Sequence, residues 1–86
     1  MTMILPADLP ADQWDDAARK ECGDRQWCKV FGWTDASFVA RAMPMTDREA
    51  GALTFSYSLN RATGLDQALW DCRRYRRATN ECLATP

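Results

Sequence analysis

Residues 53–60 have the sequence Leu-Thr-Phe-Ser-Tyr-Ser-Leu-Asn, which is the clearest indication of the fold in this chain. Large apolar side chains alternate there with Thr54, Ser56 and Ser58, and a period of two is typical of a strand with one buried face. Residues 27–33 are rich in aromatic and β-branched side chains and predict a second strand. We therefore expect a small antiparallel sheet.

Two longer helices are expected beside these strands. Pro10 suits the start of a helix and Gly23 suits its end, so a helix is predicted over residues 11–22. A stripe of apolar residues spaced by three and four predicts a second helix over residues 65–76. The alternative for this last stretch is a second hairpin strand.

Shorter helical segments are also predicted. Thr46 and Glu49 form a capping box, in which each residue satisfies a backbone amide of the other. This motif predicts a helical turn over residues 47–52. A further short helical segment is expected over residues 36–42. Thr34 or Asp35 can cap its start, and Pro44 ends it.

The length of 86 residues is enough for one hydrophobic core and too short for two. Pro6 and Pro10 make residues 1–10 an extended N-terminal lead-in, and residues 11–86 are expected to form a single small globular domain. The patterns together predict an α+β fold with two longer helices packed on a small antiparallel sheet and stabilised by disulfides. A mainly α fold is the alternative.

Cysteine spacing predicts two local disulfides, Cys22–Cys28 and Cys72–Cys82. Ten residues of helix would separate the last pair by about 15 Å, so the chain must turn between them, near residues 78–80. The other two pairings, a four-cysteine zinc site and free thiols remain open alternatives. The spacings are unlike those of zinc knuckles, and no metal or cofactor is expected.

Histidine is absent from the sequence, which removes the imidazole that activates serine and cysteine nucleophiles. The aspartates of residues 12–16 lack the spacing of a calcium loop. Asp71 stands without an obvious second carboxylate for acid–base chemistry. We therefore expect no catalytic residues and a protein that is not an enzyme.

Residues 73–77 contain four arginines around Tyr75, although the net charge of the chain is −1. Such a run can form a basic patch for phosphate, nucleic acid or an acidic protein, with the tyrosine stacking on a base. The alternative is a solvated helix end, where arginines complement the helix dipole.

Tryptophan is frequent, with four residues in the chain. In a strand, Trp27 and Trp33 point to the same face, which either exposes aromatic area to a partner or fills a small core. Residues 23–27, including Arg25, would form a rigid loop if the first disulfide forms. The residues expected to contact a partner are Arg25, Trp27, Trp33, Arg73, Arg74, Tyr75, Arg76 and Arg77.

These observations favour a non-enzymatic, disulfide-stabilised exported domain, periplasmic or secreted, that binds another protein as an inhibitor or accessory subunit. The first residues do not form a signal peptide, and no apolar stretch is long enough to span a membrane. The alternative is a cytoplasmic regulatory or inhibitory protein of phage or mobile-element type. Its arginine-rich patch would contact nucleic acid or a nucleic-acid-binding complex.

Overall fold

A computed structural model describes residues 1–40 and 43–83. Within these residues, the strands are β1 (Thr2–Ile4), β2 (Trp27–Trp33), β3 (Phe55–Asn60) and β4 (Leu65–Trp70), and they lie in this order across one sheet. β2, β3 and β4 pair antiparallel, whereas β1 pairs parallel with β2. The sheet is therefore mixed and not wholly antiparallel as expected. Both predicted strands are confirmed, although the one predicted over residues 53–60 begins at Phe55.

The parallel strand β1 comes from the stretch expected to be an extended lead-in. The amide of Phe31 donates to the carbonyl of Met1 at 2.9 Å, and that of Leu5 donates to Trp33 at 3.0 Å. The two prolines of this stretch follow Leu5 in the chain and therefore do not interrupt the pairing.

The described residues contain one long helix, α1 (Ala11–Cys22), and one short helix, α2 (Asp47–Ala52). The predicted α1 is confirmed, and Thr46 and Glu49 form the capping box at the start of α2. Residues 36–38 form a 3-10 turn that is capped by Asp35. The rest of the predicted segment 36–42 includes residues 41 and 42, which lie outside the described residues.

The prediction of a second long helix over residues 65–76 is wrong. Residues 65–70 form β4, the alternative considered for this stretch, and the chain then turns at Asp71, whose carbonyl accepts the amides of Arg74 and Tyr75. β3 offers a free edge for pairing, and Gly64 has a φ of 78°, which allows the tight reversal between the two strands. Pairing along the sheet outweighs the local helical pattern.

One face of the sheet packs against α1 and holds the core. Trp14 is fully buried against this face, with its ring centroid 5.9 Å from that of Phe55. Gly32 permits this approach, because a Cβ atom there would lie 2.6 Å from the Trp14 ring. The other large side chains of the core are Val30, Tyr57, Leu59 and Trp70.

Both predicted disulfides are present. Cys22 and Cys28 link the end of α1 to β2, with 5.8 Å between their Cα atoms. Cys72 and Cys82 are 5.5 Å apart by the same measure, and the chain between them turns through a 3-10 segment at Thr79–Glu81. No cysteine remains free.

Candidate functional site

The second face of the sheet points away from α1, and we call it the open face. Strand register and alternation place twelve side chains on it. These are Thr2, Ile4, Trp27, Lys29, Phe31, Trp33, Ser56, Ser58, Asn60, Leu65, Gln67 and Leu69. Aromatic and aliphatic side chains thus alternate with small polar ones on a surface that no long helix covers among the described residues.

Trp27 is the most exposed aromatic side chain of this face, with 68% of its surface accessible. It lies opposite Asn60, and Leu65 comes next across the sheet. A cavity of about 240 Å³ opens beside it. Its charged lining is formed by Arg25 and Lys29, and its apolar lining by Met1, Trp27, Cys28, Phe31 and Met43.

The loop next to Trp27 is held in place by its neighbours. The disulfide Cys22–Cys28 closes the loop, and the Arg61 guanidinium donates to the carbonyl of Arg25 at 3.0 Å and to that of Gly23 at 3.3 Å. These contacts fix the loop backbone while the Arg25 side chain is exposed. A preorganised loop loses less conformational entropy when it binds.

Lys29 lies between the two aromatic side chains along β2. Its Nζ atom donates to Ser58 Oγ at 2.5 Å and lies 5.2 Å from the centroid of the Phe31 ring. Partial burial lowers the pKa of the Lys29 ammonium, because the charged form loses hydration. Lys29 was not among the residues predicted to contact a partner, although its place between Trp27 and Phe31 in a predicted strand was a usable signal.

Trp33 lies at the covered end of the open face. Its side chain is fully buried, and its Nε1 atom donates to the carbonyl of Glu49 in α2 at 2.9 Å. Trp33 therefore presents no surface to a partner, because α2 lies over this end of the strand. Of the two tryptophans predicted to contact a partner from β2, only Trp27 is exposed.

The arginine-rich run does not form a helix end. It follows β4 at the Trp70 end of the sheet, whereas Trp27 lies at the opposite end, level with Asn60 and Leu65. The structure thus separates the two groups of predicted contact residues. They do not form one continuous patch.

Two of the four arginines in this run are paired with carboxylates. Arg73 donates to Asp71 at 2.9 Å, and Arg77 donates to Glu81 at 2.6 Å while lying 4.1 Å from the centroid of the Trp70 ring. Burial raises the pKa of Asp71, but its hydrogen bonds from Arg73 outweigh this and leave the pKa below its usual range. Arg74 and Arg76 are exposed and form no ion pair with another described residue.

Tyr75 points inward from the same run. Its hydroxyl donates to the carbonyl of Leu9 at 2.7 Å and accepts from Trp14 Nε1 at 2.8 Å. The ring thereby holds the C-terminal segment against α1 and its preceding loop. These contacts leave the ring half-buried and unsuited to stacking on a nucleic acid base.

A further charged cluster joins α1 to the sheet on the core side. Arg19 donates two hydrogen bonds of 2.9 Å to the Asp66 carboxylate and one of 3.1 Å to Asp15. The Arg19 guanidinium holds the pKa of Asp66 below its usual range. Burial raises the pKa of Tyr57, whose ring lies 5.0 Å from the guanidinium carbon. This cluster depends on contacts between distant parts of the chain, which the sequence did not indicate.

Residues 1–40 and 43–83 contain no group of three or more cysteine, aspartate or glutamate side chains placed to hold a metal ion. Over the same residues, no helix has the length and hydropathy needed to cross a membrane. The chain matches no protein-family model, and comparisons with curated proteins and with solved structures found no match either. The open face around Trp27 is therefore identified as the candidate site from its own geometry.

Proposed function

We propose that this protein is a small non-enzymatic domain that binds another protein through the open face, with Trp27 as the central anchor. The observation that carries the proposal is the exposure of Trp27 beside an apolar cavity on a rigid part of the fold. A tryptophan of this kind loses little conformational entropy on binding and buries a large apolar area, which is why tryptophan is enriched among interface hot spots.

The two disulfides support an exported setting for this function, in the periplasm or outside the cell. Disulfides persist in oxidising compartments and are rare in the cytosol. Both are local and lie at the two ends of the sheet, so they stabilise the frame without covering the open face. The role proposed for the domain is that of an inhibitor or accessory subunit.

Affinity capture tests the proposal with Trp27→Ala as the decisive variant. The disulfide-bonded protein is immobilised and exposed to envelope and cytosolic extracts of the organism that encodes it, and retained proteins are quantified by mass spectrometry. Lys20→Ala is the matched control, because Lys20 is exposed on α1, on the other side of the sheet. We expect to find a protein that wild type and Lys20→Ala retain in equal amounts. Trp27→Ala is expected to retain at least about tenfold less of it.

Retention of the same proteins by Trp27→Ala and by wild type would contradict the proposal. So would the absence of any retained protein with wild type. Circular dichroism of each variant establishes that the fold is intact, which is expected because the Trp27 ring lies mostly in solvent.

Contact with nucleic acid through the arginine-rich run stays the alternative function, with less support. Arg73 and Arg77 are neutralised by carboxylates, and Tyr75 is engaged in hydrogen bonds within the protein. Binding to a single-stranded oligonucleotide that weakens with salt and is lost in Arg74→Ala/Arg76→Ala would favour this alternative.

A further inference from the structure

The half-buried ammonium group of Lys29 is incompletely satisfied within the protein. It donates to one neutral hydroxyl, that of Ser58, and lies over the ring of Phe31. No carboxylate among residues 1–40 and 43–83 lies within ion-pair distance of it. An ammonium group can donate three hydrogen bonds, and a charge that has lost hydration gains most from an anionic acceptor.

The cavity beside Lys29 has the matching composition. Its described lining contains no acidic residue. It combines two cationic side chains, Arg25 and Lys29, with the apolar surfaces of Met1, Trp27, Cys28, Phe31 and Met43. Arg25 forms no ion pair within the described residues either. The cavity therefore offers, next to an aromatic wall, two cationic side chains that pair with no carboxylate of the described residues.

We propose that this cavity binds an acidic segment of the partner protein, in which a carboxylate pairs with Lys29 and Arg25 and an adjacent apolar side chain packs against Trp27. The proposal rests on the protein-binding function proposed above and specifies the chemistry of the partner. Charge complementarity selects the acidic residue, and the apolar wall selects its neighbour.

Other occupants fit this surface less well. Single-stranded nucleic acid needs a positively charged groove that follows several phosphates, and the cavity supplies cations at two side chains only, in a chain of net charge −1. A second copy of this protein docked symmetrically would bring the same two cations together, which is repulsive. An acidic peptide segment brings complementary charge and an apolar group at the same time.

The experiment is a titration of the ¹⁵N-labelled, disulfide-bonded protein with matched short peptides. Binding is measured from the changes in its amide chemical shifts. The acidic peptide is Ac-Gly-Glu-Phe-Glu-Gly-Ser-amide, and its counterparts carry glutamine or lysine in place of glutamate. We expect the acidic peptide to shift the signals of residues 25–31 and to bind about tenfold more tightly than the glutamine peptide, since hydrogen bonds between charged groups are the stronger ones.

Lys29→Gln is the decisive variant, and Lys20→Gln is its control on the opposite side of the molecule. In Lys29→Gln the preference for the acidic peptide is expected to fall to about threefold, because Arg25 still faces the carboxylate, while Lys20→Gln keeps the tenfold preference of wild type. The backbone of Lys29 is held in β2 by its strand partners. The variant is therefore expected to stay folded, with the dispersed amide spectrum of wild type.

Equal binding of the acidic and glutamine peptides to wild type would overturn the proposal, as would binding of neither. Tighter binding of an oligothymidylate to the same residues would overturn it in favour of nucleic acid. Concentration-dependent dimerisation in sedimentation, lost with Trp27→Ala, would assign the face to self-association. The two proposals can fail separately. If Trp27→Ala retains less of the captured protein but wild type shows no preference for the acidic peptide, the protein-binding function is supported and only the acidic partner chemistry is contradicted.

Discussion

The hydroxyl of Tyr75 joins three parts of the chain. It connects the segment after β4 with the carbonyl of Leu9 and with the indole of Trp14, which is fully buried. Because a buried N–H without an acceptor costs its full desolvation penalty, this one oxygen satisfies a group that the core cannot leave unpaired. Tyr75 therefore has a structural role that its arginine neighbours in the sequence did not suggest.

We predict that Tyr75→Phe lowers the free energy of unfolding by about 1–3 kcal/mol, since it leaves both the indole N–H of Trp14 and the carbonyl of Leu9 without a partner. Urea denaturation at pH 7 measures the loss. A double-mutant cycle provides the control: in a Trp14→Phe background, where the indole N–H is absent, the same change is expected to cost less. An equal cost in both backgrounds would show that this hydrogen bond does not couple the two residues.

The stretch 65–76 shows most clearly where prediction from the sequence succeeds and fails. Its apolar residues fit a helical stripe, but residues 65–70 pair with β3 because that strand has a free edge and Gly64 allows the reversal. The alternation in residues 53–60 was a stronger signal, since a period of two does not place apolar residues on one face of a helix. Local patterns predicted β2, β3, α1 and the capped α2. β4 forms by hairpin pairing with β3, and β1 by pairing with the distant β2, and neither pairing was read from the local pattern.

The candidate site was predictable to a similar degree. Cysteine spacing predicted the loop bearing Arg25, but strand composition left open whether Trp27 is exposed or buried, and the structure shows it exposed. Trp33 points to the same face of β2, yet it is buried because α2 docks on that end of the strand. No local pattern reports which end of a strand a distant helix will cover.

The ion pair between Arg19 and Asp66 connects α1 with β4 and makes stability depend on pH. The pKa of Asp66 is lowered in the folded protein, so the pair stabilises the fold above the pKa of an unfolded aspartate, about 3.9. As pH falls through the lower folded value, the carboxylate gains a proton and this contribution is lost. The side chains are partly exposed, so the contribution is below about 1 kcal/mol and weakens with salt.

We therefore predict that Asp66→Asn is less stable than wild type at pH 7, and that the difference shrinks as the pH falls below the pKa of an unfolded aspartate, about 3.9, and through the lower folded value. Urea midpoints measured along this pH series at low salt test the prediction. Asp16→Asn is the control, because Asp16 lies exposed on α1 and forms no ion pair with another described residue. A difference from wild type that stays constant with pH would contradict the assigned role.

The two disulfides lie at opposite ends of the sheet and differ in how accessible they are to solvent. Cys22 and Cys28 are each 2% exposed and belong to the core, whereas Cys72 is exposed and Cys82 is half-buried. The first bridge therefore lies within the core, between the last residue of α1 and β2. The second holds a surface turn that Tyr75 also anchors.

We predict that limited dithiothreitol under native conditions reduces Cys72–Cys82 first, because thiolate attack requires access to a sulfur atom. Alkylation followed by intact mass and peptide mapping identifies the reduced pair. Repeating the reaction in urea is the control, since the difference between the two bridges is expected to shrink once the fold is lost. Release of Cys22 and Cys28 before the other pair would contradict the prediction.

Each bridge joins cysteines that are consecutive in the chain, with sequence separations of 6 and 10. A chain that crosses a membrane N-terminus first delivers Cys22 and Cys28 to an oxidising compartment well before Cys72 emerges. Oxidation in order of emergence then yields the native pairing directly, with no wrong partner on hand and no reshuffling required. If the protein is exported, as proposed above, this connectivity favours the native pairing without disulfide reshuffling.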